Sequence, residues 1–85
     1  MVKRSRLEIY LDVLEAVASG IEKPTRIMYA TNLSWKPTQK IIEFLINQGL
    51  IKEFTVGKRR RYEITEKGLD VLKYFRRIQK ILITT

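Results

Sequence analysis

The chain has 85 residues and carries 17 Lys and Arg against nine Asp and Glu, which gives a formal net charge of +8. This length suits one domain with one modest core and leaves no room for a separate catalytic domain. The positive charge favours a polyanionic partner, either nucleic acid or an anionic membrane surface. The sequence has neither cysteine nor histidine, which excludes disulfides, cysteine zinc sites and most nucleophile–base pairs.

The remaining titratable residues do not suggest a reaction centre. Carboxylates are scattered without a recognisable spacing, so we predict no enzyme, no catalytic residue, no metal, no cofactor and no small-molecule ligand. The basic start of the chain leads into an amphipathic segment with Glu8, Asp12 and Glu15, unlike a signal peptide. No apolar run approaches the roughly 20 residues that a bilayer span needs. We therefore expect a soluble protein of the cytoplasm without a membrane partner.

The first predicted helix covers residues 6–19. Ser5 and Glu8 have the spacing of a capping box, in which each side chain satisfies a free backbone N–H of the first turn. Gly20 suits the position after the helix end. Apolar residues recur at helical spacing along this segment, namely Leu7, Tyr10, Leu11, Leu14, Val17 and Ala18.

Two further helices follow in quick succession. Pro24 and Thr25 mark the start of the second, because Pro suits a helix entrance and Thr can cap one. This helix is short and covers residues 26–31. Residues 32–34 form a tight turn, and Ser34 caps a third helix that continues to about residue 48 and ends at Gly49.

The second half of the chain predicts a β-hairpin and a last helix. The segments 50–56 and 61–64 are rich in β-branched and aromatic residues and flank a loop that begins at Gly57 and ends at Arg60. We call this hairpin the wing. Thr65 then caps a helix over residues 66–82.

The third helix has two chemically different faces. One is apolar, with Thr38, Ile41, Ile42, Leu45 and, at its margin, Phe44, and the other carries Lys36, Gln39, Lys40, Glu43 and Asn47. Such a helix, preceded by a short helix and a turn, can place donors on base edges and phosphates in a major groove. Two plainer interpretations stay open. Any soluble helix has a polar face, and Trp35, at the edge of this face, also suits partial core packing.

Four cations, Lys58, Arg59, Arg60 and Arg61, follow one another in the wing, where their mutual repulsion contributes nothing to folding. They predict an anionic partner, because Arg can bridge two phosphate oxygens or enter a narrow minor groove. The alternative is a charged edge that discourages strand aggregation, which accounts for one or two charges better than for four. At the amino terminus, Lys3, Arg4 and Arg6 form either a second basic arm or a disordered terminus.

The last helix carries more apolar surface than one small core needs. Leu69 and Leu72 can close the domain, whereas a second series has coiled-coil-like spacing and would stay exposed in a monomer. We call this series the seam, and a secondary stripe on the first helix could meet it. We therefore predict a symmetric homodimer through the last helix. The seam consists of Val71, Phe75, Ile78 and Leu82, and the stripe of Ile9, Val13 and Ala16.

Three segments, residues 25–34, 44–51 and 62–68, together resemble the small archaeal winged helix-turn-helix proteins. That family comprises single-domain DNA binders and predicted transcriptional regulators, which often dimerise through a carboxy-terminal antiparallel coiled coil. The resemblance implies one mainly α (α+β) winged helix-turn-helix domain over residues 1–85. Its winged-helix core would cover residues 6–64, and residues 65–83 would form a helix at the dimer interface.

The sequence thus predicts a homodimer that binds double-stranded DNA as a sequence-specific transcriptional regulator, associated with the nucleoid. The alternatives are an architectural, weakly specific DNA-coating protein and a protein-interaction module. The predicted dimer interface is the seam. The predicted DNA-binding residues are Ser34, Trp35, Lys36, Gln39 and Lys40 of the third helix, Lys58, Arg59, Arg60 and Arg61 of the wing, and Lys3, Arg4 and Arg6 of the amino-terminal arm.

Overall fold

A computed structural model describes residues 5–83, with only the backbone of Ile83. The elements are α1 (Arg6–Ala18), α2 (Pro24–Thr31), α3 (Trp35–Asn47), β1 (Ile51–Val56), β2 (Arg59–Ile64) and α4 (Glu66–Ile83). The two strands form one antiparallel hairpin. This order of three helices, a hairpin and a helix confirms the predicted winged helix-turn-helix architecture.

The core lies where α1 crosses the other elements. Leu11, Val13 and Leu14 of α1 are at most 1% exposed. They pack with residues from every other element, because the apolar positions of each amphipathic element face the same centre. The other buried members of this cluster are Val17, Ile27, Ile42, Leu45, Leu50, Ile51, Tyr62 and Leu72.

The capping box predicted at the start of α1 is confirmed for one of its two hydrogen bonds. Ser5 Oγ accepts from the Glu8 backbone N–H at 3.1 Å, as a capping side chain should. The Glu8 carboxylate accepts from the Ser5 hydroxyl at 3.3 Å instead of reaching the Ser5 backbone. The helix ends at Ala18, one residue earlier than predicted, and Gly20 follows with a φ of +102°.

The predicted start of α2 is wrong by two residues. The helix begins at Pro24, with Lys23 as the capping residue and no side-chain cap, so Thr25 is a helical residue and not a cap. The proline ring already has a helical φ and has no N–H to satisfy, which makes a side-chain cap less necessary. Ser34 is the N-cap of α3 as predicted, but its side chain makes no capping hydrogen bond.

The hairpin turn is shorter than predicted. β2 begins at Arg59, so the turn consists of Gly57 and Lys58 only, and Gly57 has a φ of +64° that favours glycine. Arg59 and Arg60 are therefore strand residues, not loop residues. On its other edge, β2 is hydrogen-bonded to the connection before α2. The Tyr62 N–H donates to the Glu22 carbonyl at 3.0 Å.

The start of α4 is held by a predicted cap. Thr65 Oγ1 accepts from the Gly68 N–H at 3.0 Å and donates to the Gly49 carbonyl at 2.7 Å. The cap therefore joins the helix to the segment that enters β1.

Candidate nucleic-acid interface

The two faces predicted for α3 are confirmed. Thr38, Ile42 and Leu45 are at most 3% exposed, whereas Lys36, Gln39 and Lys40 are all exposed, as are Glu43 and Asn47. Thr38 satisfies its buried hydroxyl by donating to the Ser34 carbonyl at 2.8 Å. The exposed donors on α3 are free to meet a ligand.

A cleft separates α3 from the wing. Trp35 and Gln39 line its helical side, and Glu53, Arg60 and Tyr62 line its wing side. Trp35 is 40% exposed, so it is packed only in part and leaves an open surface, and its contact with DNA stays a prediction. The structure thus brings Trp35, Gln39 and Arg60 together at one site.

The wing does not present its four cations as one patch. Glu53 pairs with Tyr62 and Thr55 with Arg60 across the hairpin, so these residues share the face that looks into the cleft. Arg59 and Arg61 lie on the opposite face, because side chains alternate along a strand. Lys58 lies in the turn. The prediction that the four cations form one cluster at the tip of the wing is therefore wrong.

Arg61 belongs to a second group of cations on the far side of the wing. It is half-buried and lines a notch together with Lys23 and Arg26 from the entrance of α2. Glu22 lies in the same notch. The sequence analysis did not single out Lys23 and Arg26, which lie at the start of a helix, where the backbone N–H groups favour anions.

Glu53 is the centre of a small polar cluster inside the cleft. Its Oε1 accepts from Tyr62 Oη at 3.3 Å and lies 3.8 Å from Arg60 Nε. Burial raises the pKa of the Tyr62 phenol, the Glu53 carboxylate raises that pKa further, and Arg60 opposes the shift. A neutral Tyr62 therefore holds the carboxylate through a charge-assisted hydrogen bond.

The amino-terminal arm is only partly described. Arg6 is exposed at the first position of α1. Lys3 and Arg4 lie outside the described residues.

The seam residues differ from one another in burial. Val71 and Phe75 pack in part against the core of their own chain, and Ile78 is half-buried. Leu82 is 70% exposed, and its neighbour Ile81 is 63% exposed. Of the four seam residues, Leu82 alone is therefore as exposed as the sequence predicts for a monomer.

The prediction that the secondary stripe on α1 is a surface that could meet the seam is wrong. Val13 is fully buried and Ala16 is 8% exposed, so both belong to the core of their own chain. The seam instead adjoins an apolar groove, where Val71 and Phe75 meet Leu7, Tyr10 and Phe44. The rings of Tyr10 and Phe44 stack there with centroids 5.0 Å apart.

An ion cluster that was not predicted joins α4 to α1. Arg76 Nη2 lies 3.3 Å from Asp12 Oδ1 and also contacts Glu15 Oε2. A second guanidinium nitrogen, Nη1, donates to Gln79 Oε1 at 2.8 Å. This cluster links α4 to α1 and lies apart from the cleft.

The described residues contain neither a metal-binding cluster nor a membrane-spanning helix. Within residues 5–83, no group of three or more acidic residues is arranged to hold a metal ion. Within the same range, no helix is both long and apolar enough to span a bilayer.

Comparison with known families decides the classification. The model of the winged helix-turn-helix family matches residues 3–82. The chain belongs to this family. Two uncharacterised proteins of Methanocaldococcus jannaschii are similar to it, one 41% identical over 66 residues and the other 33% identical over 81. These matches cover 78% and 95% of this chain but only 64% and 36% of the two relatives, so the chain spans less than two thirds of either.

Solved structures have the same fold. Sso10a-2, a DNA-binding protein from Sulfolobus solfataricus, superposes with a TM-score of 0.75 at 29% identity, covering 93% of this chain and 85% of that one. The transcriptional regulator BldR from the same organism superposes with a TM-score of 0.79 at 18% identity, covering 88% and 56%. Streptococcus pneumoniae FabT, solved in complex with DNA, gives a TM-score of 0.74 at 13% identity, covering 93% and 61%.

Proposed function

We propose that this winged helix-turn-helix chain binds double-stranded DNA and acts as a sequence-specific transcriptional regulator associated with the nucleoid. The observation that carries the proposal is the cleft, in which exposed donors of α3 stand beside a wing arginine. The net charge of +8 supports a polyanionic partner. The DNA-binding Sso10a-2, at 29% identity, supports duplex DNA as that partner.

The proposal assigns the base contacts to α3 and most of the phosphate contacts to the wing and the amino-terminal arm. Gln39 and Lys40 on the exposed face of α3 would meet base edges, since amides and ammonium groups donate to the acceptors of the major groove. Lys36 and Trp35 lie one turn earlier, and with Ser34 they would meet the backbone. Arg6, Lys58, Arg59, Arg60 and Arg61, with Lys3 and Arg4, would add phosphate contacts that do not depend on sequence.

We further propose that the protein acts as a homodimer through the seam. The exposed ends of Ile81 and Leu82 and the groove beside Val71 and Phe75 offer apolar surface to a second α4. A two-fold axis would present two α3 helices to half-sites about one turn of DNA apart. The expected target is then pseudo-palindromic.

Selection of bound fragments from random duplex DNA tests the proposal. One enriched motif with two half-sites is the expected result. Replacing Gln39 by Ala should change the preferred bases, whereas replacing Lys58, Arg59 and Arg60 by Ala should weaken binding to all sequences and flatten its salt dependence. An unchanged salt slope in the triple variant would refute the phosphate role of the wing.

The second candidate is an architectural DNA-coating protein, which the small size and high charge favour. Excess random DNA should compete away all binding by such a protein, but should leave a regulator bound to its operator. A protein-interaction module is a third possibility. Absence of any affinity for duplex DNA at low salt, where phosphate contacts are strongest, would favour it over both.

A further inference from the structure

The cleft between α3 and the wing contains an ion pair whose acidic member, Glu53, has no role in the proposed DNA binding. Arg60 Nε lies 3.8 Å from Glu53 Oε1. Arg60 is paired with Thr55 across the hairpin, and Glu53 is paired with Tyr62, two residues closer to the core on the same face. The arginine therefore reaches back along the strand toward the carboxylate instead of pointing from the tip.

We propose that Glu53 competes with DNA phosphate for Arg60 and thereby lowers the affinity of the wing for duplex DNA of any sequence. This inference rests on the proposed function. It concerns a carboxylate that the sequence did not single out and that carries the wrong charge for a direct phosphate contact.

Glu53 is built into the cleft as a stable competitor. The hydroxyl of Tyr62, a residue that is 7% exposed, donates to its Oε1 at 3.3 Å and so limits how far the carboxylate can swing away. A carboxylate and a phosphate both bind a guanidinium through charge-assisted hydrogen bonds, so each can replace the other. A second carboxylate, that of Glu43 on α3, lines the same cleft and adds to the repulsion of a phosphate.

The exchange of partners needs no rearrangement of the core. The side chain of Arg60 is 72% exposed and that of Glu53 39%. Rotation of the arginine side chain is enough to move the guanidinium from the carboxylate to a phosphate. Arg60 therefore binds a phosphate only by giving up an existing ion pair.

The consequence of this competition is a weaker sequence-independent component of binding. Contacts to phosphate supply most of the affinity for non-specific DNA. Contacts of α3 to base edges do not involve Arg60, so the competition leaves them unchanged. A weaker wing therefore lowers affinity for random DNA and leaves a larger share of the binding free energy to the bases.

The variant Glu53→Gln tests the inference, because it removes the charge and keeps an oxygen that can accept from Tyr62. We expect its affinity for a random-sequence duplex at low salt to rise about two- to fivefold, the range expected when an exposed ion pair is released. The salt dependence should steepen by up to about 0.9 in the slope of log K against log salt, equivalent to one further phosphate contact.

Glu63→Gln is the matched control. It makes the same change in net charge on the same hairpin, but Glu63 pairs with Lys52 at 3.1 Å and lies on the face that points away from the cleft. Its effect on affinity should be smaller than that of Glu53→Gln. A general effect of net charge would instead be the same in both variants.

A double-mutant cycle with Arg60→Gln identifies the partner. In the wild-type chain this change should cost little affinity, because Arg60 is already held by Glu53. In the Glu53→Gln chain it should cost more and should cancel the gain. Circular dichroism during heating checks that each variant folds, and Glu53→Thr, whose residue type suits a strand, provides a second chain with the charge removed.

Three results would overturn the inference. They are an affinity of the two Glu53 variants equal to or below that of the wild type, an equal gain in Glu63→Gln, and a gain that survives Arg60→Gln. If the wild type binds duplex DNA and one of these occurs, only the inference fails. If neither the wild type nor any variant binds at low salt, the proposed function fails with it.

Discussion

Gly68 lies so close to the Leu50 carbonyl oxygen that a Cβ on Gly68 would overlap it, and that same Cβ would lie 3.0 Å from Ile64 Cδ1. The Leu50 carbonyl cannot move freely, because it accepts from the Thr65 N–H at 3.1 Å. The entry to β1 and the start of α4 are therefore in backbone contact. Only glycine fits where they meet.

Gly68→Ala should therefore destabilise the protein. Alanine is favoured over glycine inside a helix by about 0.5–1 kcal/mol, but the overlap with a fixed carbonyl outweighs this gain, and we expect a net loss of about 1–3 kcal/mol. Urea unfolding measures the loss. Asp70→Ala, at an exposed position of the same helix, is the control, and equal stability of the two variants would contradict the close approach.

Tyr62 should make the free energy of unfolding decrease with pH in the alkaline range. Its pKa is raised in the folded protein, first by burial and then by Glu53, so the folded state keeps the phenol proton where the unfolded chain releases it. The contribution is complete below the ordinary tyrosine pKa of about 10, and it is lost as the pH rises through the folded value. Unfolding free energies measured from pH 8 to 11 should fall less steeply for Tyr62→Phe than for the wild type. Tyr29→Phe, at a tyrosine that is 78% exposed, should keep the wild-type profile.

Arg76 should contribute to stability through its two acidic partners. Replacing it by Met keeps much of its apolar volume but leaves Asp12 and Glu15 without this cation. We expect a loss of about 1 kcal/mol, small because all three side chains are partly exposed. The loss should shrink at high salt, where charges are screened. Arg77→Met, at an exposed position, should cost less, and an equal cost for the two would contradict a specific cluster.

A single charged substitution tests whether the seam is a dimer interface. Leu82→Glu places a carboxylate at a position that is 70% exposed in one chain and that would be covered in the proposed dimer. Sedimentation should show the wild type as a dimer and the variant as a monomer, because burying an unpaired charge is costly. Lys73→Gln makes the same change in net charge at an exposed site of α4 and should leave the dimer intact. A wild-type chain that stays monomeric at all concentrations would refute the seam.

Helices and their ends were predictable because their signals are local. Ser5, Gly20 and Thr65 each act on a neighbouring turn, and the apolar spacing of α3 by itself defines its buried face. The start of α2 was missed because Pro24 and Thr25 indicate two different starts, and the backbone shows that the helix begins at the proline with Lys23 as its cap.

The arrangement of the wing was not predictable from its residue types. Three successive arginines have no apolar alternation, so their sequence does not define which of them share a face. The burial of Tyr62 and its pairing with Glu53 fix the register, and through it the side on which Arg60 lies. The Arg76 cluster was missed for a related reason, since it depends on the angle at which two distant helices cross.

The hydrogen bond from the Tyr62 N–H to the Glu22 carbonyl anchors the base of the wing to the connection before α2. At that point β2 is bonded on both edges, to β1 and to the connection before α2. Bending of the hairpin therefore pivots beyond Tyr62, and the displacement of each side chain grows with its distance from that pivot. Arg61, next to this hydrogen bond, is held in place, whereas Lys58 at the tip has the greatest freedom to move.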